Sequence, residues 1–430
     1  MTHRPILSTV LPQGETMHII VIGAGITGVA TALLLAREGQ NVTLIDRLAP
    51  GDQGQTSFGN AGILASAAVV PVSVPGLLAK VPKMWLDRDG PLYLRLGHLI
   101  RFLPWLRPFL AQATPEGVRR IATGLAPLVS DSLDQHLALA RGTPAARFIE
   151  QGPYVFLYAS RAAYEADAFG WAIRREQGFH WEEWTRSALL DRDPHLGEAF
   201  QFAAAPDGHG WITWPAAYVS ALAEAFTQAG GVLRQAEVSD LTPIDPASGR
   251  VTLVGGEVLE ADRVILCTGV WSGRLAEKLG HRAMLEAERG YHITFAGATR
   301  RPPTPYMMTS AKLGVTPMEP GLRVAGLAEF AGLDAPAQTA PLDQIRRQVR
   351  RLYPDIEWEG ESEWMGQRPS TPDSLPLMGR SPKAPGILFA FGGQHLGLTM
   401  GPKLARLVAA EALDRGSNLD IAPYAVDRFD

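Results

Sequence analysis

Three glycines near the start of the chain, Gly23, Gly25 and Gly28, follow an apolar run at GxGxxG spacing, and a second apolar run ends at Asp46. In a strand–turn–helix–strand unit, the first glycine allows a tight turn and the second lets a pyrophosphate approach backbone N–H groups at the helix N-terminus. The third lets the helix pack closely on the sheet, and the acid can accept a hydrogen bond from a ribose hydroxyl. A glycine-rich turn in an ordinary βαβ unit is the alternative. The acid at the end of the second strand favours a dinucleotide site.

Three later segments bear on which dinucleotide is bound, because nicotinamide and flavin dinucleotides offer the same adenosine half to such a turn. Residues 56–62 form a small, polar, glycine-rich stretch that lets the chain pass close to an extended ligand. Residues 261–269 have the pattern of a buried strand that returns to the nucleotide domain after a long insertion. Residues 387–391 form an apolar run before Gly392 and Gly393, and we expect a helix from residue 401 whose N-terminus favours an anion.

The composition narrows the class of function. The 430 residues carry a formal net charge of −4 with no basic stripe, which argues against nucleic-acid binding. The single cysteine, Cys267, leaves no partner for an intramolecular disulfide and too few thiolates for a zinc or iron–sulfur site, so we expect no metal. No apolar run reaches the roughly 18 residues of a membrane-spanning helix. We expect a cytoplasmic protein with a disordered tail at residues 1–16.

Five ordered segments carry a resemblance to a known family. They are 56–62 (TSFGNAG), 288–292 (ERGYH), 321–330 (GLRVAGLAEF), 366–376 (GQRPSTPDSLP) and 392–397 (GGQHLG). In these motifs the chain resembles the FAD-dependent amine and D-amino-acid oxidoreductases, the D-amino-acid oxidase-like class, and most of all its bacterial D-amino-acid dehydrogenase branch. The resemblance implies FAD as the cofactor, with the flavin ring where the nucleotide domain meets the substrate domain.

The resemblance also implies a fold that combines α/β and α+β parts. A Rossmann-type, glutathione-reductase-like FAD-binding domain would comprise residues 17–79, 213–275 and 361–430, interleaved with an antiparallel-sheet substrate domain at 80–212 and 276–360. The sequence patterns agree with this layout, since they predict helices at 215–229, 342–352 and 401–413. Strands are predicted at 153–158, 291–295, 305–309, 314–318 and 323–328.

The motifs and the resemblance together mark a set of cofactor-binding residues. They are Gly23, Ala24, Gly25, Ile26, Thr27, Gly28, Asp46, Arg47, Thr56, Ser57, Asn60, Ala61, Gly62, Val238, Thr268, Gly269, Trp271, Arg368, Gly392, Gly393, Gln394, His395, Leu396, Gly397, Leu398 and Thr399. Cys267 is expected to be a small buried residue rather than a covalent anchor, so FAD should be bound non-covalently.

Oxidation of an α-amino acid requires its carboxylate to be held so that Cα–H faces the flavin, and arginine does this best by bidentate pairing. By resemblance this residue is Arg368, with a turn-capping role before Pro369 as the alternative. Arg289 is the candidate for a second cation, unless it forms an ion pair with Glu286 or Glu288. Tyr291 and His292 are adjacent on one strand and must therefore face opposite sides.

We expect Tyr291 to be the substrate-binding member of that pair. No residue has the features of an obligatory general base, because the substrate ammonium can lose its proton on binding or to water. Tyr291, His292 and His395 are the candidates for assistance, although such histidines are often satisfied by backbone groups. A common family variant has a second histidine where this chain has Gly393, so no role is transferred from that position.

The resemblance implies oxidative deamination of a D-amino acid. Hydride would pass from Cα to flavin N5, the imino acid would hydrolyse to a 2-oxo acid and ammonia, and electrons would pass to quinone or another acceptor. One alternative is a dehydrogenase or oxidase of a secondary or cyclic amine such as D-proline, D-hydroxyproline or sarcosine. Another is a flavin subunit of a heteromeric amine dehydrogenase. Side-chain preference would depend on aromatic residues such as Trp85, Tyr154, Trp211 and Trp214.

An apolar stripe at helical spacing runs from Leu92 to Leu110, and Arg95, Arg101 and Arg107 lie within it. Such a basic amphipathic segment could place the protein peripherally on the inner face of the cytoplasmic membrane, close to quinone. Pro104 and Pro108 interrupt the pattern. The alternative is a helical cover on the substrate sheet.

Overall fold

The computed structural model describes residues 16–79, 81, 87 and 89–430. Residues 1–15 of the expected disordered tail, and Trp85 among the candidate pocket aromatics, lie outside the described residues. The fold is a mixed α/β architecture built on two large sheets, as the resemblance implied.

The first large sheet has six strands, and the apolar run before the glycine turn lies at its centre. In spatial order the strands are Val232–Gln235, Asn41–Asp46, His18–Ile22, Arg263–Leu266, Ile387–Phe391 and Leu377–Arg380. The first five pair in parallel and the last pairs antiparallel. Ile19, Ile20 and Val21 are fully buried, which is typical of a parallel strand covered on both faces.

Helices cover one face of this sheet and a small sheet covers the other. Ile26–Arg37, Pro215–Gln228 and Gly397–Ala412 form the helical layer. The antiparallel strands Val238–Asp245, Ser248–Leu253 and Val258–Ala261 form the opposite layer. Two further helices, Pro115–Val129 and Ser132–Ala140, contribute to the core of the helical layer. They fall within the range 80–212 that the sequence assigned to the substrate domain, because an amphipathic pattern does not specify which sheet a helix covers.

The second large sheet has nine strands among the described residues. Eight follow one another in the order Gly360–Ser370, Glu286–Ala296, Gly321–Phe330, Leu313–Met318, Tyr306–Met308, Val155–Tyr158, Phe202–Pro206 and Trp181–Thr185, and Leu92–Leu94 pairs with Gly321–Phe330. Helix Ala340–Leu352 packs its apolar side on one face of this sheet. Ile63–Leu64, Gly210–Ile212 and Ile149–Gln151 form a separate small antiparallel sheet.

The remaining described helices are short or peripheral. The α-helices are Leu99–Ala111, Arg161–Glu165, Ala168–Glu176, Arg186–Arg192 and Ser272–Lys278, and the 3₁₀ helices are Leu96–His98, Pro144–Phe148, Gly269–Trp271, Gln394–Leu396 and Ala422–Tyr424. Within the part of the chain that the structure describes, none of the helices has the length and apolar character needed to cross a membrane.

The apolar stripe predicted from Leu92 to Leu110 is not one helix. Its first part is the strand Leu92–Leu94, and the helix starts only at Leu99 and accommodates both prolines. The helix buries Phe102 and Trp105, which stack on Phe330 of the second sheet. Its aliphatic side faces outward, since Ile100 is 83% and Leu103 is 52% exposed. The helix therefore covers the sheet through its aromatic residues and not through the predicted stripe.

Candidate functional site

The glycine turn has the close backbone contacts that its spacing predicts. Gly23 has a φ of +104°, and a Cβ there would lie 2.5 Å from the carbonyl oxygen of Cys267. A Cβ on Gly28 would lie only 1.7 Å from the carbonyl oxygen of Gly23. A side chain at Gly23 would push the turn away from Cys267, which directly follows the neighbouring strand, and a side chain at Gly28 would push the helix away from the turn. The N-terminus of helix Ile26–Arg37 is thereby held at the end of the central strand, where its positive end favours an anion.

Asp46 is bound to the glycine turn from the end of the neighbouring strand. Its Oδ2 accepts a hydrogen bond from the Ala24 N–H at 2.6 Å, and its Oδ1 accepts one from the Leu48 N–H at 2.9 Å. The Gln55 side chain donates to Oδ2 at 3.4 Å. The carboxylate therefore stabilises the turn and also lies at the edge of the cavity that the turn lines.

A cavity of about 480 Å³ extends from this turn toward the second sheet. The predicted cofactor-binding residues that line it are Gly23, Gly25, Ile26, Thr27, Asp46, Arg47, Thr56, Ser57, Asn60, Val238, Thr268, Gly269, Trp271, Gly392, Gly393, Gln394, Gly397 and Leu398. Segments from four distant parts of the chain thus meet around one elongated space. At one end Arg47 lies over the Trp271 ring, 4.7 Å from its centroid.

The other predicted cofactor-binding residues do not line the cavity. They are Ala24, Gly28, Ala61, Gly62, Arg368, His395, Leu396 and Thr399. Several of them support the wall instead. The Thr399 hydroxyl donates to the Ile63 carbonyl and accepts from the Ala65 N–H, which ties helix Gly397–Ala412 to the chain that follows the 56–62 loop.

Sequence reasoning missed part of the lining. The additional residues are Ile22, Ile45, Leu48, Gly54, Gln55, Ala236, Glu237, Ser239, Val254, Cys267, Arg274, Leu275, Lys278, Pro369, Ala390, Phe391 and Leu404. Arg274 and Lys278 follow Trp271 on the short helix Ser272–Lys278. Their spacing puts them on the same helical face as Trp271, which is a signal in the sequence that predicts them as lining residues.

Cys267 lines the cavity but lacks the chemistry of a covalent anchor. Burial raises the pKa of its thiol to about 12, so the nucleophilic thiolate is absent at neutral pH. The rest of the wall combines glycines and small polar side chains with apolar residues and the cations Arg47, Arg274 and Lys278, which suits the phosphates and the rings of an extended dinucleotide. These residues fit FAD held by non-covalent contacts.

Arg368 lies on the adjoining face of the second sheet, in a densely bonded position. Its Nη1 donates to Glu288 Oε1 and to the Leu327 carbonyl, both at 2.8 Å, and its Nη2 donates to the Gly326 carbonyl at 3.2 Å. The guanidinium lies directly over Gly290, where a Cβ would come within 2.2 Å of Nη2. The glycine in the ERGYH segment is therefore the residue that makes room for the arginine of the GQRP segment.

His395 lies close to this face. It is in the 3₁₀ turn Gln394–Leu396, directly after the cavity-lining Gly393, and it retains solvent-accessible surface. Desolvation by its neighbours lowers the pKa of His395, the negative charge of Glu288 opposes that shift, and Arg368 adds to it. His395 is consequently uncharged near neutral pH.

The expectation that Arg289 and Tyr291 contact substrate disagrees with their placement. Both side chains point to the opposite face of the strand, under helix Ala340–Leu352 and the neighbouring loop. Arg289 Nη1 forms an ion pair with Glu329 Oε2 at 3.3 Å, so the ion-pair alternative holds with a partner other than Glu286 or Glu288. The Tyr291 hydroxyl donates to the same Oε2 at 2.5 Å and accepts from the Gln338 N–H. Side chains alternate between the two faces of a strand, so Arg289 and Tyr291 face away from Glu288, which lies opposite Arg368 on the neighbouring strand.

His292 is the member of the pair that faces the cofactor loop. Its Nδ1 lies 3.0 Å from the Gly59 carbonyl, and its ring stacks on Trp364 with centroids 5.1 Å apart. Burial and the nearby Arg323 hold its pKa well below the ordinary value. His292 is thus a neutral residue that anchors the 56–62 loop to the second sheet, and it is enclosed by its neighbours. Among the described residues, no cluster of histidine, cysteine and acidic side chains could hold a metal ion.

We predict that all flavin is released when the protein is denatured. Because Cys267 is a buried, protonated thiol, acid or heat precipitation should leave the yellow chromophore in the supernatant. The measurement is the flavin absorbance of supernatant and pellet, with a Cys267→Ser variant as the control for attachment. Flavin that stays in the wild-type pellet and disappears from the variant pellet would contradict the prediction.

Comparisons with known proteins agree with this geometry. The model of the family described as FAD dependent oxidoreductase (DAO) matches residues 18–411. The chain is 33% identical to a D-amino-acid oxidase of Bradyrhizobium diazoefficiens over 97% of this chain and all of that protein. It is 29% identical to a D-amino acid dehydrogenase of Sinorhizobium medicae over 96% of this chain and all of that one.

Solved structures show the same fold. Glycine oxidase from Geobacillus kaustophilus superimposes with a TM-score of 0.74 at 20% identity, covering 96% of this chain and 99% of that one. L-proline dehydrogenase from P. horikoshii gives a TM-score of 0.70 at 17% identity, covering 96% and 98%. The residues that form the dinucleotide cavity, the second sheet and the family match over residues 18–411 lead to one conclusion: the chain belongs to the DAO family of FAD-dependent oxidoreductases.

Proposed function

We propose that this enzyme oxidises the α-carbon of a D-amino acid, with Arg368 binding the substrate carboxylate. The observation that carries the proposal is an arginine with donors still available, directly before the cavity-lining Pro369 in the chain. Three of its five N–H groups are bonded, to Glu288, Leu327 and Gly326. The Nε–H and one Nη2–H have no partner among the described residues, so a carboxylate can accept from both.

The rest of the face suits an amino acid. Bound FAD supplies the oxidant, which accepts the Cα hydrogen as hydride. Arg368 fixes the carboxylate and thereby the orientation of Cα relative to the cavity. His395, uncharged, solvent-accessible and near Arg368 and Glu288, can accept a hydrogen bond from the substrate ammonium or hold the proton that it loses. Release of that proton leaves the amine lone pair that assists hydride departure, and water then hydrolyses the imine to a 2-oxo acid and ammonia.

The D-configuration is supported by the names of two relatives that the chain matches over nearly its whole length, a D-amino-acid oxidase and a D-amino acid dehydrogenase.

Oxidation of a secondary amine is the second candidate. A panel of D-amino acids, their L-forms, D-proline and sarcosine, each tested for anaerobic bleaching of the flavin, discriminates among these substrates. Bleaching by L-forms alone would exclude the proposed configuration.

We predict that Arg368→Ala lowers kcat/KM by about 30- to 1000-fold while FAD remains bound. Loss of a charge-assisted bidentate pair should remove about 2–4 kcal/mol of transition-state binding. Steady-state kinetics with the best D-amino acid provide the measurement. Arg346→Ala is the matched control, because Arg346 forms surface ion pairs with Glu361 and Glu363 away from the cavity. Near-normal kinetics of Arg368→Ala would show that the carboxylate is bound elsewhere.

We predict opposite results for the two neighbours on the central strand. Tyr291→Phe removes hydrogen bonds to Glu329 and Gln338 on the far face, so it should lower stability by about 1–2 kcal/mol and change kcat/KM by no more than twofold. His292→Ala removes the contact with Gly59 and the stacking on Trp364, so it should weaken FAD retention and lower turnover about tenfold. Thermal unfolding, FAD content and kinetics measure these effects. A kinetic defect in Tyr291→Phe but not in His292→Ala would contradict this prediction and show that Tyr291 contacts the substrate.

For the electron acceptor we propose quinone rather than oxygen. One relative is named a dehydrogenase, although the relative at 33% identity is named an oxidase. Exposed Ile100 and Leu103 share helix Leu99–Ala111 with exposed Arg101 and Arg107. Apolar side chains flanked by arginines suit an anionic lipid surface, where quinone is dissolved.

We predict that quinone in anionic vesicles reoxidises the reduced enzyme faster than oxygen does. The double variant Ile100→Glu, Leu103→Glu should lose this quinone reduction and keep its activity with a water-soluble dye, because the cavity is untouched. Stopped-flow flavin absorbance and vesicle co-sedimentation provide the measurements. Stoichiometric hydrogen peroxide at high turnover, with no gain from quinone, would identify an oxidase instead.

A further inference from the structure

A buried carboxylate, Glu288, is bonded directly to Arg368. Its Oε1 accepts from Arg368 Nη1 and its Oε2 accepts from the Ser370 hydroxyl, both at 2.8 Å. Burial opposes ionisation of Glu288, but Arg368, His395 and Ser370 outweigh it and hold the pKa below its usual value. The resting site therefore contains an ion pair rather than a lone cation.

The backbone is shaped to hold this pair. Between Arg289 and Tyr291 the pairing with strand Gly321–Phe330 is irregular, so that Leu327 and Ala328 together face Gly290. Leu327 has a φ of +59°, which is unfavourable for a residue with a side chain. The bulge turns the carbonyls of Gly326 and Leu327 toward the guanidinium. The strained residue and the bulge therefore help to hold Arg368 in the position where it pairs with Glu288.

We infer that Glu288 is a specificity-determining residue that restricts the enzyme to amino acids with a single carboxylate. This inference rests on the proposed role of Arg368 and adds to it. Arg368 and Glu288 cancel each other, and a zwitterionic substrate adds one carboxylate and one ammonium, so the loaded site stays neutral. The second carboxylate of an acidic amino acid has no such compensation.

The groups around the pair add no positive charge to receive a second carboxylate. His395 is uncharged near neutral pH because its pKa is lowered. Glu286 lies two residues away on the same face of the strand, but its Oε1 is 3.2 Å from His98 Nε2 and it has no contact with Arg368 in the described part of the chain. Glu288, bonded to the guanidinium itself, is therefore the negative charge beside the bound substrate. Repulsion between like charges in a partly desolvated site discriminates by roughly tenfold or more. Neutral and cationic side chains escape this repulsion.

The test compares neutral and acidic substrates in the FAD-loaded enzyme. Wild type is expected to show kcat/KM for D-glutamate and D-aspartate at least about tenfold below its best neutral D-amino acid. Glu288→Gln keeps the shape and removes the charge, so the acidic-to-neutral ratio of kcat/KM should rise at least about tenfold. Glu288→Asp, which keeps the charge, should retain the discrimination. Glu286→Gln is the matched control, and its ratio should stay within about twofold of wild type.

A binding measurement separates this inference from the proposed function. Benzoate and isophthalate, an aromatic monocarboxylate and dicarboxylate, are titrated against the flavin absorbance of each variant. Isophthalate should tighten relative to benzoate in Glu288→Gln, and both should be lost in Arg368→Ala. Benzoate binding that survives Arg368→Ala would overturn the proposed function. Loss of binding in Arg368→Ala together with an unchanged acidic-to-neutral ratio in Glu288→Gln would overturn only the role of Glu288.

Two further outcomes also decide the matter. A wild-type preference for D-glutamate over neutral substrates would overturn the inference without any variant. An equal rise of the ratio in Glu286→Gln and Glu288→Gln would overturn it as well, because the effect would then be one of general charge. FAD content and melting temperature establish that the variants fold, and Glu288→Ala, for which the same relaxation is expected, replaces Glu288→Gln if that protein does not fold.

Discussion

The close approach of three backbone segments at the end of strand His18–Ile22 is the constraint on which the rest of this structure depends. The turn at Gly23 touches the carbonyl of Cys267, and helix Ile26–Arg37 touches the turn through Gly28. This contact fixes where the positive end of the helix lies, and Asp46 then holds the turn from the side. The strands from Arg263 and Ile387 must end at the same edge because they are in parallel register with the central strand. The cofactor cavity follows from that register, since the glycine turn, the 267–278 segment and the 392–398 segment that line it each follow one of these strands.

Strand Glu286–Ala296 carries buried charge on both faces, and each face has its own ion pairs. On the cofactor side Glu288 is bonded to Arg368 and Ser370. On the far side Glu329 receives Arg289, Tyr291 and Arg95, which ties the loop before helix Leu99–Ala111 to the sheet. Buried charges cost free energy unless they are paired and hydrogen-bonded, so both faces are tightly specified. The strand is thus held firmly from both faces, which suits the carboxylate site that we propose at Arg368.

Much of the fold was predictable because its signals are local. The helices predicted at 215–229 and 342–352 are found at Pro215–Gln228 and Ala340–Leu352. The helix expected from residue 401 begins at Gly397, because the early turns contain Gly401 and Pro402, which weaken the helical pattern. The prediction of one helical stripe at 92–110 was wrong for a related reason. A short apolar run can form either a strand or a helix, and here its first part pairs as the strand Leu92–Leu94.

The sequence by itself determined the dinucleotide turn, its acid, the family and the strand alternation that separates Tyr291 from His292. These depend on residue type and spacing along the chain, which sterics translate directly into geometry. Only the tertiary structure decided which residues share a face of that strand: it placed Glu288 beside Arg368 and His292 against the 56–62 loop, with Arg289 and Tyr291 on the other face. It also decided that Gly290 makes room for a guanidinium 78 residues away, and that Glu288 is that arginine's counter-ion. The physical reason is that a buried charge pairs with the opposite charge that lies near it in three dimensions, and the spacing of two residues along the sequence does not determine that distance.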